Sequence, residues 1–376
     1  MPTDQPRSAA SRAVAAPIPR LPPVTSMTPR EPGADLAKWV MMVSCRSMLV
    51  QAVDAFEIER SARNRTKRKQ RGGWHYALSG EWARAIWHHR TMLAYRHAFH
   101  TGNHADVLKH ATLVAVLRHL NLKDKAWRLV DTHAAAGGYE LDSAYTQKHA
   151  EYRQGIERLW LAPDLPPMLA DYLDQVRAFN AGEALTLYPG SPRIARGLMR
   201  PQDQLRLFEL HPTDHALLLE NFAGDRQVIV QHIDGFSGMK SQWPPPSRRG
   251  VVLIDPSYEI KTDYAAVVAG VREALTRFAE GTVMVWYPHL DLRESAQLPK
   301  RLEEIAQSLS KKGWLHARLT LAEPNERGFG LLGSGMFIIN PPYTLAGQLR
   351  EVLPVLVRLM GQFRGAAHTL AVSETG

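Results

Sequence analysis

Apolar and polar positions along most of this chain follow one of two periods. Between Asp106 and Leu120, the residues Val107, Leu108, Ala111, Val114, Ala115, Leu117 and Leu120 recur at helical spacing. That spacing predicts a helix with one buried face. From Lys125 onward, short apolar runs take turns with helical patterns. Strands are predicted at Ala126–Val130, Leu205–Leu210, Val228–Gln231, Val251–Ile254, Thr282–Tyr287, Leu315–Leu321 and Met336–Ile339. Helices are predicted near Ile194–Met199, Asp214–Phe222, Asp263–Phe278, Lys300–Lys311 and Leu345–Phe363. Continuous apolar runs, without alternation, mark strands covered on both faces. Seven strands alternating with helices predict an α/β fold built on a doubly wound, seven-stranded, mostly parallel sheet. The stretch 139–187 carries Pro163, Pro166 and Pro167 and is long for a crossover, so it reads as an inserted helical subdomain.

Composition sharpens this picture at the N-terminus. Of the 376 residues, 1–91 hold 15 Lys/Arg against 7 Asp/Glu, whereas 92–376 hold 31 against 30. The net charge of +9 therefore belongs mostly to the first quarter. Residues 1–33 are rich in Pro, Ala, Ser and Arg and are expected to be disordered. A basic run follows at Arg63, Arg65, Lys67, Arg68, Lys69 and Arg71. It reads as a solvated tail or as an RNA-contacting arm. Patterned sequence begins at Met92, so a translation start there, with 1–91 a mis-annotated extension, is a third reading. Cys45 is the only cysteine, which excludes a disulfide framework and a thiolate metal cluster. No long apolar span or secretory leader is visible, and a cytoplasmic location is the default.

The chemistry concentrates at predicted strand ends, where ligands bind in open α/β sheets. The small-residue loop Ala134-Ala135-Ala136-Gly137-Gly138 follows the first strand. It lets backbone approach a ligand closely. Glu209 ends the second strand, where a carboxylate can accept both ribose hydroxyls. Asp234-Gly235 follows the third and can bond an adenine amine. Asp255-Pro256-Ser257-Tyr258 closes the fourth. The order of these four features predicts a site for S-adenosyl-L-methionine. The last resembles the Asp/Asn-Pro-Pro-Tyr/Phe loop of amino methyltransferases. An adenine N6 lone pair is conjugated into the ring and is a poor nucleophile. A carboxylate from Asp255 and the Pro256 carbonyl would oppose that conjugation and aim the amine. The Tyr258 ring could stack on an extruded base.

Two other groupings compete for attention. Asn340-Pro341-Pro342-Tyr343 is a closer literal match to the loop, and it also follows an apolar strand. It closes the last strand, away from the predicted cofactor position, so it reads as a structural stop. His100, His104 and His110 lack a carboxylate at recognised ligand spacing. They read as capping, core or substrate-contacting residues, and no metal is expected.

Long literal runs then identify a family. They include Tyr95–His110, Asp131-Thr132-His133, Tyr188–Pro192, Glu209–Pro212, Asp234-Gly235-Phe236 and Lys261–Tyr264. Residues 92–376 resemble the RlmJ family of bacterial 23S rRNA adenine-N6 methyltransferases. The resemblance implies a Rossmann-like methyltransferase fold, S-adenosyl-L-methionine as cofactor, 23S rRNA as partner and action as a monomer. It implies cofactor contacts at His110, His133, Ser191, Glu209, Asp234, Gly235 and Asp255. It implies catalysis at Asp255 and a substrate-sensing tyrosine at Tyr95. The chain departs from the family pattern at Ala135, where the family has glycine, and at Ser257, where it has proline.

Three functions remain in play: an rRNA adenine-N6 methyltransferase, a DNA adenine methyltransferase using the same loop, and an RNA-binding protein with a compromised site. Lys109, Arg193, Arg196, Arg248 and Arg249 are candidates for a basic RNA-facing patch.

Overall fold

The computed structural model describes residues 97–181, 184–323 and 330–373. After a single 3-10 turn at His97–Phe99, helix α1 spans His104–Asn121. Asn103 starts it, its side-chain oxygen accepting from Ala105 N at 2.9 Å and Asp106 N at 3.0 Å. Those bonds satisfy amides that the helix itself leaves unpaired. Strand β1 (Arg128–Asp131) follows. Next come β2 (Gly138–Glu140), α2 (Ala144–Gln147), a 3-10 turn (Glu151–Gln154), α3 (Ile156–Trp160), α4 (Pro167–Phe179) and β3 (Leu187–Pro189). The chain continues through α5 (Ser191–Leu198), β4 (Gln204–Phe208), α6 (Pro212–Asn221), β5 (Val228–Gln231), α7 (Gly235–Gln242) and β6 (Gly250–Ile254). It finishes with α8 (Thr262–Arg277), β7 (Thr282–His289), α9 (Arg293–Leu309), β8 (Trp314–Thr320), β9 (Gly333–Ile339), α10 (Leu345–Met360) and β10 (Ala367–Val372).

The main sheet has eight strands in the order β10-β8-β9-β7-β6-β1-β4-β5. β5, β4, β1, β6 and β7 run parallel; β9 is antiparallel to β7, and β8 and β10 continue the alternation. The sheet thus has one strand more than the pattern predicts. β10 is the addition, and nearly all of its residues are exposed, so no apolar run announces it. The pair β2 and β3 was also illegible. These three-residue strands, with residues 141–186 between them, meet antiparallel from Gly138↔Pro189 to Glu140↔Leu187 and close the base of the helical stretch between them.

Alternate residues of the central strands enter two separate cores, as a period of two requires. Leu129, Val251 and Leu253 face the core shared with α1, α4, α5 and α10. Val130, Val252 and Ile254 face the core shared with α7, α8 and α9. Every residue of β1, β6 and β9 is buried, because helices cover both sheet faces. The chain leaves β1 toward β4 and β5, then crosses back to β6 on the other side. That reversal opens a crevice at the carboxyl ends of β1 and β6.

Candidate active site

The crevice is a cavity of about 320 Å³. Of the residues the sequence singled out, His110, His133, Ser191, Glu209, Asp234, Gly235, Asp255 and Pro256 line it. They come from six places in the chain: α1 carries His110, the start of α5 carries Ser191, and the segments after β1, β4, β5 and β6 carry the rest.

One end of the cavity is built around Glu209. Both carboxylate oxygens are fixed by backbone amides: Oε2 accepts from Ala135 N at 2.8 Å and Oε1 from His211 N at 2.6 Å. Burial pushes this carboxyl up to about 7, against the opposing pull of the His211 and Ala135 amides. Ala135 holds a left-handed backbone, φ 49°, the conformation that glycine takes without strain. Asp234 and Gly235, expected in a loop, instead open helix α7, and Asp234 Oδ2 caps it by accepting from Ser237 N at 2.8 Å. The Asp-Gly-Phe-Ser-Gly run reads as a turn, and the Asp234 cap together with close packing accommodates it as a helix. A Cβ on Gly235 would lie 1.8 Å from the Thr132 carbonyl, and one on Gly238 would meet the Phe208 ring at 2.2 Å. Phe236 stands edge-on to His133, with centroids 5.4 Å apart. Burial lowers His133 to about 4 and keeps it neutral. Ser191 opens α5, and its hydroxyl donates to Asp131 Oδ2 at 2.7 Å. Burial raises Asp131 to about 6, and the Ser191 hydroxyl counteracts part of that rise. A fixed acceptor carboxylate, a close-packed small-residue loop and an aromatic wall in a cavity of this size fit S-adenosylmethionine.

The other end centres on Asp255. Its Oδ2 accepts from Lys109 Nζ at 2.5 Å, and Oδ1 accepts no hydrogen bond among the described residues. Lys109 also reaches Asp106 Oδ1 at 2.9 Å. Burial disfavours the ammonium, but the Asp106 and Asp255 carboxylates override it and raise the Lys109 pKa. Burial raises Asp255, and Lys109 works against that rise. The pair stands as ammonium and carboxylate, because Lys109 is flanked by two carboxylates. His110, on the next residue of α1, pairs Nδ1 with the Tyr188 hydroxyl at 2.7 Å, and burial lowers it to about 3.

Other expectations meet a different geometry. Tyr258 does not line the cavity. It is 5% exposed, its hydroxyl donates to the Trp286 carbonyl at 2.7 Å, and its ring lies 4.8 Å from that of Tyr264. The loop turns inward at Tyr258, φ 54°, so the ring is a buried brace in place of a stacking surface. Ser257 lies in the cavity wall. Tyr95 lies outside the described residues. Asn340 ends β9, which runs antiparallel to β7, and therefore sits at the opposite edge of the sheet from Asp255. It accepts from the Lys311 and Lys312 amides and donates to the Ala279 and Gly281 carbonyls. The candidates for a basic patch also make contacts within the protein, although Arg248 remains exposed. Lys109 is buried in ion pairs, Arg196 pairs with Asp225, and Arg249 donates to the Lys125 and Leu120 carbonyls. Arg193 and Arg248 lie over the rings of Phe222 and Phe278. Among the described residues, no three His, Cys, Asp or Glu side chains are placed to hold a metal ion.

The sequence reading missed the network behind Asp255. Asp106 and Lys109 are three residues apart on α1, a spacing that brings helical side chains together. That local signal was available. Lys109 and Asp255 are 146 residues apart, and no local pattern reports that contact.

The family model described as Ribosomal RNA large subunit methyltransferase D, RlmJ, matches residues 124–371. The Ribosomal RNA large subunit methyltransferase J of Escherichia coli strain K12 is 46% identical over 265 residues, covering 70% of this chain and 93% of that protein. Its counterpart in Haemophilus influenzae is 43% identical over 270 residues, covering 72% and 94%. A crystal structure of a protein from Legionella pneumophila superposes with a TM-score of 0.65 at 33% identity, covering 73% of this chain and 98% of that one. With matches of this extent, the chain belongs to the RlmJ family of ribosomal RNA large subunit methyltransferases.

Proposed function

We propose that this protein methylates the N6 amine of an adenine in 23S rRNA, with S-adenosyl-L-methionine as the methyl donor. One observation supports this most strongly: Asp255 presents a carboxylate to the same cavity whose far end is built around Glu209 and Gly235. The relatives named above carry rRNA methyltransferase names, which favours RNA over DNA. When bound, S-adenosylmethionine supplies a sulfonium methyl group open to nucleophilic attack.

The chain's own groups do the rest. Glu209 accepts the ribose hydroxyls, and the left-handed turn at Ala135 keeps the backbone close. Asp234, Gly235 and Phe236 border the adenine. The α5 amino end, beginning at Ser191, offers backbone amides near Asp131 to the amino-acid portion. Asp255 Oδ1 and the Pro256 carbonyl accept from the target amine, which draws its lone pair out of conjugation and holds it in line. His110 and His133 stay neutral and shape the wall.

Labelled S-adenosylmethionine with protein-free 23S rRNA tests this reading. Asp255→Ala is expected to lower transfer by about 10³-fold or more while leaving cofactor binding within a few-fold. Transfer to duplex DNA only, or RNA binding without transfer, would replace the reading with one of its two competitors.

A further inference from the structure

Asp106 is a buried charge that the mechanism above does not use. It does not line the cavity, is 1% exposed, and makes three close contacts, with His110 Nε2 farther off at 3.9 Å. Its Oδ2 accepts from Gly102 N at 2.8 Å and bonds His97 Nε2 at 3.0 Å; its Oδ1 meets Lys109 Nζ at 2.9 Å. His97 and Lys109 both line the cavity. One carboxylate therefore stands directly behind two wall residues, and one of these grips Asp255.

We propose that Asp106 is a positioning residue for methyl transfer, holding Lys109 and His97 from behind so that Asp255 faces the target amine as a carboxylate with one oxygen open. This rests on the reading of Asp255 given above. The fold places Asp106 with unusual firmness. Asn103 caps α1, so Asp106 sits in the helix's first turn, where the exposed amides and the helix dipole favour negative charge. Gly102 supplies an amide from a left-handed turn, φ 69°, at a point where a Cβ would come 2.9 Å from Ile156 Cγ2. Burial opposes the charge on Asp106, but His97 and Lys109 outweigh it and hold this carboxyl well below its ordinary range.

The electrostatic logic follows. Lys109 lies between two carboxylates. With Asp106 in place, its charge is shared and its Nζ is anchored to α1. Without Asp106, a buried ammonium would lean wholly on Asp255, neutralising the group that must accept from the amine. His97 would lose the partner that fixes its ring.

A double-mutant cycle with Asp106→Asn, Lys109→Met and their combination tests the proposal, with Asp106→Glu as the conservative variant. Asp106→Asn is expected to lower kcat about 30-fold while KM for RNA and the S-adenosylmethionine Kd stay within about twofold. Asp106→Glu is expected to recover about a third or more of the lost rate on a log scale. The combined variant is expected to be no slower than the slower single variant, because Asp106 acts through Lys109. Multiplying losses, or a folded Asp106→Asn with kcat within about twofold of wild type, would overturn it. Should Asp106→Asn fail to fold, long-range nitrogen–proton NMR on the unaltered chain decides. His97 Nε2 carrying its proton is expected, and a bare Nε2 would sink the idea. Asp255→Ala separates the two levels: full activity there removes the underlying reading, whereas an inactive Asp255→Ala beside an unaffected Asp106→Asn removes only this inference.

Discussion

Glu209 shows how a single side chain can be tuned by its surroundings. Burial raises its carboxyl from 4.5 to about 7, so protonated and ionised forms coexist in the free protein near neutrality. The sign follows from linkage. A folded-state pKa above the ordinary value stabilises the fold fully below about 4.5, and that contribution is lost as the pH climbs through about 7. Ribose hydroxyls donate to the ionised form, so cofactor binding should oppose the proton. The S-adenosylmethionine Kd is expected to tighten about tenfold between about pH 6 and pH 8. Asp131 and Asp263 titrate near the lower edge of that window, at about 6 each, and His133 at about 4 lies outside it. Isothermal titration on wild type and Glu209→Gln separates these groups. The variant should bind weakly but without the upper part of the slope; an unchanged slope would assign it elsewhere.

At the scale of elements, strand direction decides which of two similar loops faces the cavity. β6 and β9 both end in an apolar run followed by Asp/Asn-Pro, yet they point to opposite edges of the sheet. Asn340 is 2% exposed, holds φ 54°, and ties the β9 end to the segments before β7 and β8 through four hydrogen bonds. Asn340→Ala would remove the partner of two part-buried amides and of two carbonyls, the Gly281 carbonyl being fully buried. It is expected to destabilise the fold by about 3 kcal/mol, visible in urea unfolding. The kcat of the folded fraction should be unchanged. A loss of rate with stability intact would move the chemistry to this loop. Gly235 marks the reverse case, a position where the element cannot form around a side chain, because Thr132 already occupies the space.

At the scale of the whole molecule, charge shapes how RNA is met. Residues 92–376 carry almost no net charge, 31 Lys/Arg against 30 Asp/Glu, and several of the arginines are spent on internal contacts. A small number of phosphate contacts is expected on that balance. Each released counterion contributes about 0.7 to the salt slope for single strands, so a slope magnitude below about 3 is expected for RNA binding by residues 92–376. Filter binding across a salt series, with the full chain beside residues 92–376, measures it. Equal slopes are expected. A steeper slope for the full chain would make the basic N-terminal quarter an RNA-contacting arm.

The sequence by itself determined the alternation of strands and helices, because burial on both faces writes continuous apolar runs that any reader can find. It also placed Glu209, Asp234 and Asp255 at strand ends, because Pro, Gly and acidic residues punctuate those ends locally. Exposed β10 and the three-residue pair β2 and β3 left no such pattern; pairing across distant segments makes them strands. Tertiary structure alone decided three further matters. It turned Tyr258 inward, since a left-handed backbone at that position is set by packing against Tyr264 and Trp286. It separated the two Pro-containing loops, since the antiparallel return of β9 carries Asn340 to the far edge. And it joined Asp106, Lys109 and Asp255 into one charged network, since ion pairing depends on distances that only the folded sheet and α1 create.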